Sequence, residues 1–218
     1  SSPEFVVLDN LPSNSLFVRT LADEMPRLRA GYARTMPSDI DGSNTLAVIR
    51  IYANRADYLD AVGDEMKWSA AYWSPIRREL VAYLPANGEA ELMRTIRHEA
   101  FHQYLSYATA MIPTSPWLNE GYAQYFENPE SADWRLPLTT EDVDRLAQTL
   151  PDLLKSLAYF IENGAPNVRS TPFANLKRNY LKSLFETRDM RAATEAAFGS
   201  PENVERFIAE WAKYWKDM

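Results

Sequence analysis

Glu89–Tyr107 reads EAELMRTIRHEAFHQYLSY, and its spacing decides both the local fold and the chemistry. Apolar residues recur at Leu92, Met93, Ile96, Ala100, Phe101 and Leu105, the three-and-four interval of a helix with one buried face. Pro85-Ala86-Asn87-Gly88 breaks the chain just before it. Inside the helix stands His98-Glu99-Ala100-Phe101-His102, an H-E-x-x-H pattern. Four residues is just over one turn, so both imidazoles project from the same face. Two imidazoles placed this way can reach one Zn²⁺ at about 2.0–2.1 Å each. Glu99, beside the first of them, is placed to hold a water rather than the metal, and its carboxylate can take that water's proton. The chain has only two histidines and both fall in this pattern, which sets it apart from a chance occurrence in a long helix.

A catalytic zinc takes three protein ligands and leaves one position open. No third histidine and no cysteine exist, so the remaining donor is a downstream carboxylate. Glu120, Glu127, Glu130 and Asp133 are the near candidates. Glu120 is the best placed, near the start of the helix Trp117-Leu118-Asn119-Glu120-Gly121-Tyr122-Ala123-Gln124-Tyr125-Phe126-Glu127. Gly121 and Ala123 are expected to leave space for close approach to the first helix. Glu127 lies two turns later and reads better as a surface or supporting carboxylate.

Outward from these helices the chain changes character near residue 85. Phe5–Leu8 reads as a strand, and residues 14–34 as a helix that Pro26 should kink or divide. Thr45–Tyr52 (TLAVIRIY) is the clearest strand, Arg55–Val62 a short helix, and Ala70–Trp73 and Arg78–Tyr83 two further strands around Ser74-Pro75. Helices are expected at about 151–163, 172–186, 188–198 and 201–216, with another helix start at Thr139-Thr140-Glu141-Asp142. Ser200-Pro201-Glu202 has the cap and first-turn proline of a helix start. The fold class is therefore α+β: a small N-terminal mixed sheet with helices, then a mostly helical half, with a zinc-dependent active-site cleft between them. Residues 1–218 are expected to form a single domain, its sheet-containing part about 1–110 and its helical part about 111–218.

HEAFHQYL followed by PWLNEGYAQYFE resembles the gluzincin zinc metallopeptidases, most of all the bacterial peptidase-MA-like domains of unknown function. WLNEGYAQYFE also resembles the third-ligand segment of zinc aminopeptidases. The resemblance is specific over residues 94–127 and diffuse elsewhere. It implies a zincin-like fold, His98, His102 and Glu120 as zinc ligands, and Glu99 as general base. Seventeen residues, 103–119, separate His102 from Glu120, slightly fewer than the aminopeptidase pattern implies. The Gly-x-Met-Glu-Asn strand of those enzymes is missing, and RRELVAYLPANGEAE stands before the zinc helix instead. This argues against an aminopeptidase, and an endopeptidase is the expectation. Gluzincins often stabilise the oxyanion with a downstream Tyr or His; Tyr180 and Tyr159 are the candidates, Tyr180 preferred. A peptide could add along an exposed strand edge, Arg78–Tyr83 being the expected edge.

Composition narrows the rest. The chain has 218 residues with 46% apolar and 12% aromatic residues, enough to bury roughly 70% of its unfolded surface. A net charge of −7 disfavours nucleic acid as a partner. No apolar run is long enough to span a membrane. The expected partner is a peptide or protein substrate. The alternatives are a zinc-binding interaction or scaffold module without catalysis, and a metallohydrolase of non-peptide amides. Absence of cysteine leaves the compartment open. The start Ser1-Ser2-Pro3-Glu4-Phe5 is not an intact leader, and an extracytoplasmic location is slightly favoured for a bacterial chain whose leader is gone. Arg27, Arg29 and Arg34 read as a solvated basic patch, and Trp211 and Trp215, four apart, as one buried helix face.

Overall fold

Along Ala47–Tyr52 the burial alternates: Ala47, Ile49 and Ile51 are buried, while Val48, Arg50 and Tyr52 are half-buried. This is the period of a strand with two unlike faces. The computed structural model describes residues 5–11, 15–37, 39–42, 44–63, 66–85, 88–127, 150–164 and 172–217. They form two compact units, Ser1–Met111 and Ile112–Met218. The architecture is mixed α and β, as the sequence pattern indicates, with one small sheet and many helices. Among the described residues no helix is long and apolar enough to cross a membrane.

The first unit holds the sheet. Strands β1 (Phe5–Asp9), β2 (Ala47–Tyr52), β3 (Ala71–Ser74) and β4 (Glu79–Tyr83) lie in the order β1-β2-β4-β3. β1 and β4 flank β2 in parallel, and β3 is antiparallel to β4. Parallel neighbours need crossovers, and helices α1 (Leu16–Thr35) and α2 (Arg55–Val62) supply them. The expected edge strand, Arg78–Tyr83, is therefore interior. β2 occupies one side of β4, and the tight turn after Ser74 folds β3 onto the other. Arg78 belongs to that turn, in the left-handed region at φ 55°, so the strand starts at Glu79.

Helix α3 (Glu89–Ala108) packs against β3, β4 and α1. Leu92, Ile96, Ala100, Phe101 and Leu105 are all buried. Four polar anchors fix it further. Gln103 Nε2 donates to the Val48 carbonyl at 3.1 Å, and Tyr32 Oη to the Arg97 carbonyl at 2.9 Å. Arg97 pairs with Glu24 at 2.5 Å, and Trp73 Nε1 donates to Ser106 Oγ at 2.9 Å.

Two expectations about α1 change. Pro26 does not divide it; the helix is continuous over twenty residues. Pro26 sits on the exposed side, where solvent can satisfy the Ala22 carbonyl that loses its N–H partner. Arg29 is not part of a solvated patch. It is 3% exposed and donates to the carbonyls of Gly42 and Thr45, each at 3.2 Å. It thereby holds the loop after α1, and a Cβ on Gly42 would collide with the Tyr104 carbonyl of α3.

The second unit is helical among its described residues. Its elements are α4 (Pro116–Phe126), α5 (Leu150–Asn163), a 3₁₀ turn (Pro172–Asn175), α6 (Leu176–Thr187), α7 (Met190–Phe198) and α8 (Pro201–Asp217). The helix expected at 172–186 thus begins as a 3₁₀ turn. Asp189 caps α7 by accepting from the N–H groups of Arg191 and Ala192, which delays its start to Met190. Ser200 Oγ accepts from the Asn203 N–H at 3.3 Å, as a helix cap does. Trp211 and Trp215 are both buried on α8, and Trp211 Nε1 donates to Ser156 Oγ at 3.2 Å. The helix start at Thr139–Asp142 lies outside the described residues.

The space at Gly121 is filled by α5. A Cβ there would stand 2.6 Å from the Leu154 carbonyl oxygen. Alanine gains about 1 kcal/mol of helix propensity over glycine, but overpacking costs about 1–3 kcal/mol, and the obstacle here is main chain that cannot rotate away. Gly121→Ala should lower the urea midpoint of unfolding. An unchanged or raised midpoint would show that α4 and α5 separate without cost.

Candidate metal centre

Burial of one side of α3 leaves an arc of half-buried residues on the other: Thr95, His98, Glu99, His102 and Ser106. The two imidazoles lie on it one turn apart, with ring centroids 4.7 Å apart and planes at 79°. One ligand atom each from His98, Glu99 and His102 lie within 4.8 Å of one another. They are the one such group of three among the described residues. Glu99 Oε2 accepts from the Trp73 N–H of β3 at 2.8 Å.

These donors suit a borderline divalent ion. Imidazole nitrogen and carboxylate oxygen are the ligand types of zinc sites, and the two histidines occupy one helical arc, as a shared ion requires. Nearby stands Tyr58 on α2, fully buried, its hydroxyl without a hydrogen-bond partner among the described residues. Burial pushes that phenol up, and the charges of Tyr72, Glu99 and Tyr83 add to the shift.

The structure thus brings His98, Glu99 and His102 together. Glu120 stands half-buried on α4, and Glu127 caps the end of that helix, both in the second unit. Glu130 and Asp133 lie outside the described residues. Tyr180, the preferred oxyanion candidate, has its hydroxyl engaged at Ser115. It is fully buried, accepts from the Ser115 N–H at 2.6 Å and donates to Ser115 Oγ at 3.0 Å. Its ring meets Trp117 edge-on at 5.1 Å, so it anchors the start of α4. Tyr159 sits in an aromatic cluster, 6.2 Å from the ring of Tyr125 and 5.4 Å from that of Trp215. Sequence reasoning missed Trp73 and Ser106. No sequence signal reveals that a main-chain N–H faces Glu99, because that depends on the register of β3 against β4.

Comparison of the chain with protein-family models, with curated proteins and with solved structures finds no match in any of the three.

Protein purified without chelator and then offered Zn²⁺ should take up about one ion per chain. Replacing both histidines with alanine should abolish that uptake while leaving the far-ultraviolet circular dichroism unchanged. Undiminished uptake by that variant, read by elemental analysis, would place the metal elsewhere.

Proposed function

We propose that the chain is a zinc-dependent metallopeptidase of the gluzincin type, an endopeptidase, with His98, His102 and Glu120 as zinc ligands and Glu99 as general base. A zincin-like fold over residues 1–218 belongs to the same proposal. The observation that carries it is the grouping of His98, Glu99 and His102 ligand atoms within 4.8 Å on one arc of α3. Zinc, when bound, supplies Lewis-acid polarisation of the scissile carbonyl and lowers the pKa of the attacking water.

The chain's own residues do the rest. The imidazoles of His98 and His102 hold the ion, and the Glu120 carboxylate completes the set of three. As the water oxygen attacks the carbonyl carbon, its proton passes to the Glu99 carboxylate. When the C–N bond breaks, Glu99 returns that proton to the departing amine nitrogen. Substrate pairing along Arg78–Tyr83 is not part of the reading, because β4 lies between β2 and β3. The edge strand beside β4 is β3, and its outward main chain is engaged: Ala71 bonds the Ser69 hydroxyl and the Trp73 N–H bonds Glu99.

Glu99→Gln keeps the shape and removes the base. Zinc should stay bound at near-normal affinity, and cleavage of a peptide library should fall about 10²–10⁴-fold. Retained zinc with undiminished cleavage would refute the mechanism. Loss of zinc would make Glu99 a ligand instead. Retained zinc in a wild-type chain that cleaves no peptide would point to a scaffold module or a non-peptide amide.

A second comparison checks the third ligand. Glu120→Ala should weaken zinc binding by about 10-fold or more, since even residues that merely support a ligand matter that much. Glu127→Ala should weaken it far less. The reverse order, read by competition with a chromogenic chelator, would assign the wrong carboxylate.

A further inference from the structure

Main-chain groups of β3 point alternately toward β4 and away from it. The Tyr83 N–H donates to the Ala70 carbonyl at 3.0 Å, and with Tyr72 opposite Val81 and Ser74 opposite Glu79, Ala71 and Trp73 face outward. An outward N–H on the last strand of a sheet ordinarily meets solvent. That of Trp73 donates to Glu99 Oε2 at 2.8 Å instead. The same residue makes a second bond to the same helix, from Nε1 to Ser106 Oγ at 2.9 Å. Its ring also meets Tyr107 edge-on, 5.4 Å between centroids. Glu99 and Ser106 are seven residues apart, two turns along α3 and about 10.5 Å along its axis, on the same arc.

We infer that Trp73 is the positioning residue of Glu99: its indole, held by Ser106 and Tyr107, sets β3 against α3 so that its N–H aims the carboxylate. The inference rests on the reading of Glu99 as the base. A glutamate carboxylate otherwise turns through a broad, roughly two-fold torsion. Proton transfer needs a heavy-atom reach of about 2.6–3.2 Å, so an oxygen whose direction wanders spends little time in range. Holding Oε2 gives the whole carboxylate one orientation. The indole clamp is needed because β3 is only four residues long and has strand pairing on one side alone.

Two readouts test this. The first needs neither zinc nor activity: hydrogen exchange of the Trp73 amide in the full chain, followed by NMR. Glu99→Ala should speed that exchange by at least about 10-fold, the factor that corresponds to losing a hydrogen bond to a charged group. Ser106→Ala should speed it as well. Unchanged exchange in Glu99→Ala would overturn the inference outright. The second readout is kinetic. Ser106→Ala should lower kcat by roughly 10- to 100-fold, as small misplacements of reacting groups do, with KM and zinc content nearly unchanged. Ser106→Thr, which keeps the hydroxyl, should restore kcat. A variant that raises KM alone, or that threonine does not rescue, would show a merely structural role. Should Ser106→Ala fail to fold, Trp73→Phe removes the Nε1 donor while keeping a ring and the main-chain N–H, and is read the same way. A wild-type chain that cleaves no peptide overturns the peptidase reading, whereas the exchange measurement still decides whether the bond to Glu99 exists.

Discussion

The buried face of α3 is the constraint on which the first unit depends. Full burial of side chains such as Leu92, Ile96, Phe101 and Leu105 stabilises by about 1.5–3 kcal/mol each. Turning the helix by one residue would expose part of that face and push imidazoles toward the core. Gln103 makes the azimuth stricter. It is 1% exposed, and a buried amide is costly unless bonded; its Nε2 finds the Val48 carbonyl only in this setting. The direction of His98 and His102 thus follows from residues that bear no chemistry themselves.

The edge strand β3 solves two problems with the same bonds. An unpaired edge invites association with other chains. Here the Ser69 hydroxyl engages both main-chain groups of Ala71, and the Glu99 carboxylate takes the outward N–H of Trp73. The bond that closes the edge is also the one that orders Glu99. A short strand beside a long helix would slide without a further tie, and the Trp73 indole on Ser106 and Tyr107 provides it.

In the second unit the anchors converge on α4, the helix that carries Glu120. Ser115 and Tyr180 bind each other at its start. Gly121 lets the main chain of α5 approach, and the Tyr122 hydroxyl donates to Glu162 at 2.5 Å. Burial pushes the Tyr122 phenol well above its ordinary range, with the Glu162 charge adding, so it stays protonated as that donor. Lys177 pairs with Glu162 and lies over the Tyr122 ring. The anchored positions Ser115, Gly121 and Tyr122 all stand within five residues of Glu120, which holds that stretch of α4 in one rotation.

Local patterns were legible without the fold. The spacing of Leu92, Ile96 and Phe101 is that of a helix, and four residues between His98 and His102 put both imidazoles on one side of any α-helix. The run VIRIY marks a strand because β-branched and aromatic side chains suit a pleated surface. These are properties of neighbours in sequence, governed by torsion angles and helical pitch. What lies between segments was not legible. That β4 is interior, that Arg29 is buried under a loop, that Tyr180 serves Ser115 and that the Trp73 N–H meets Glu99 all depend on pairing register and on contacts between residues far apart in the chain. A main-chain N–H is the same in every residue, so only its tertiary surroundings could give this one its partner.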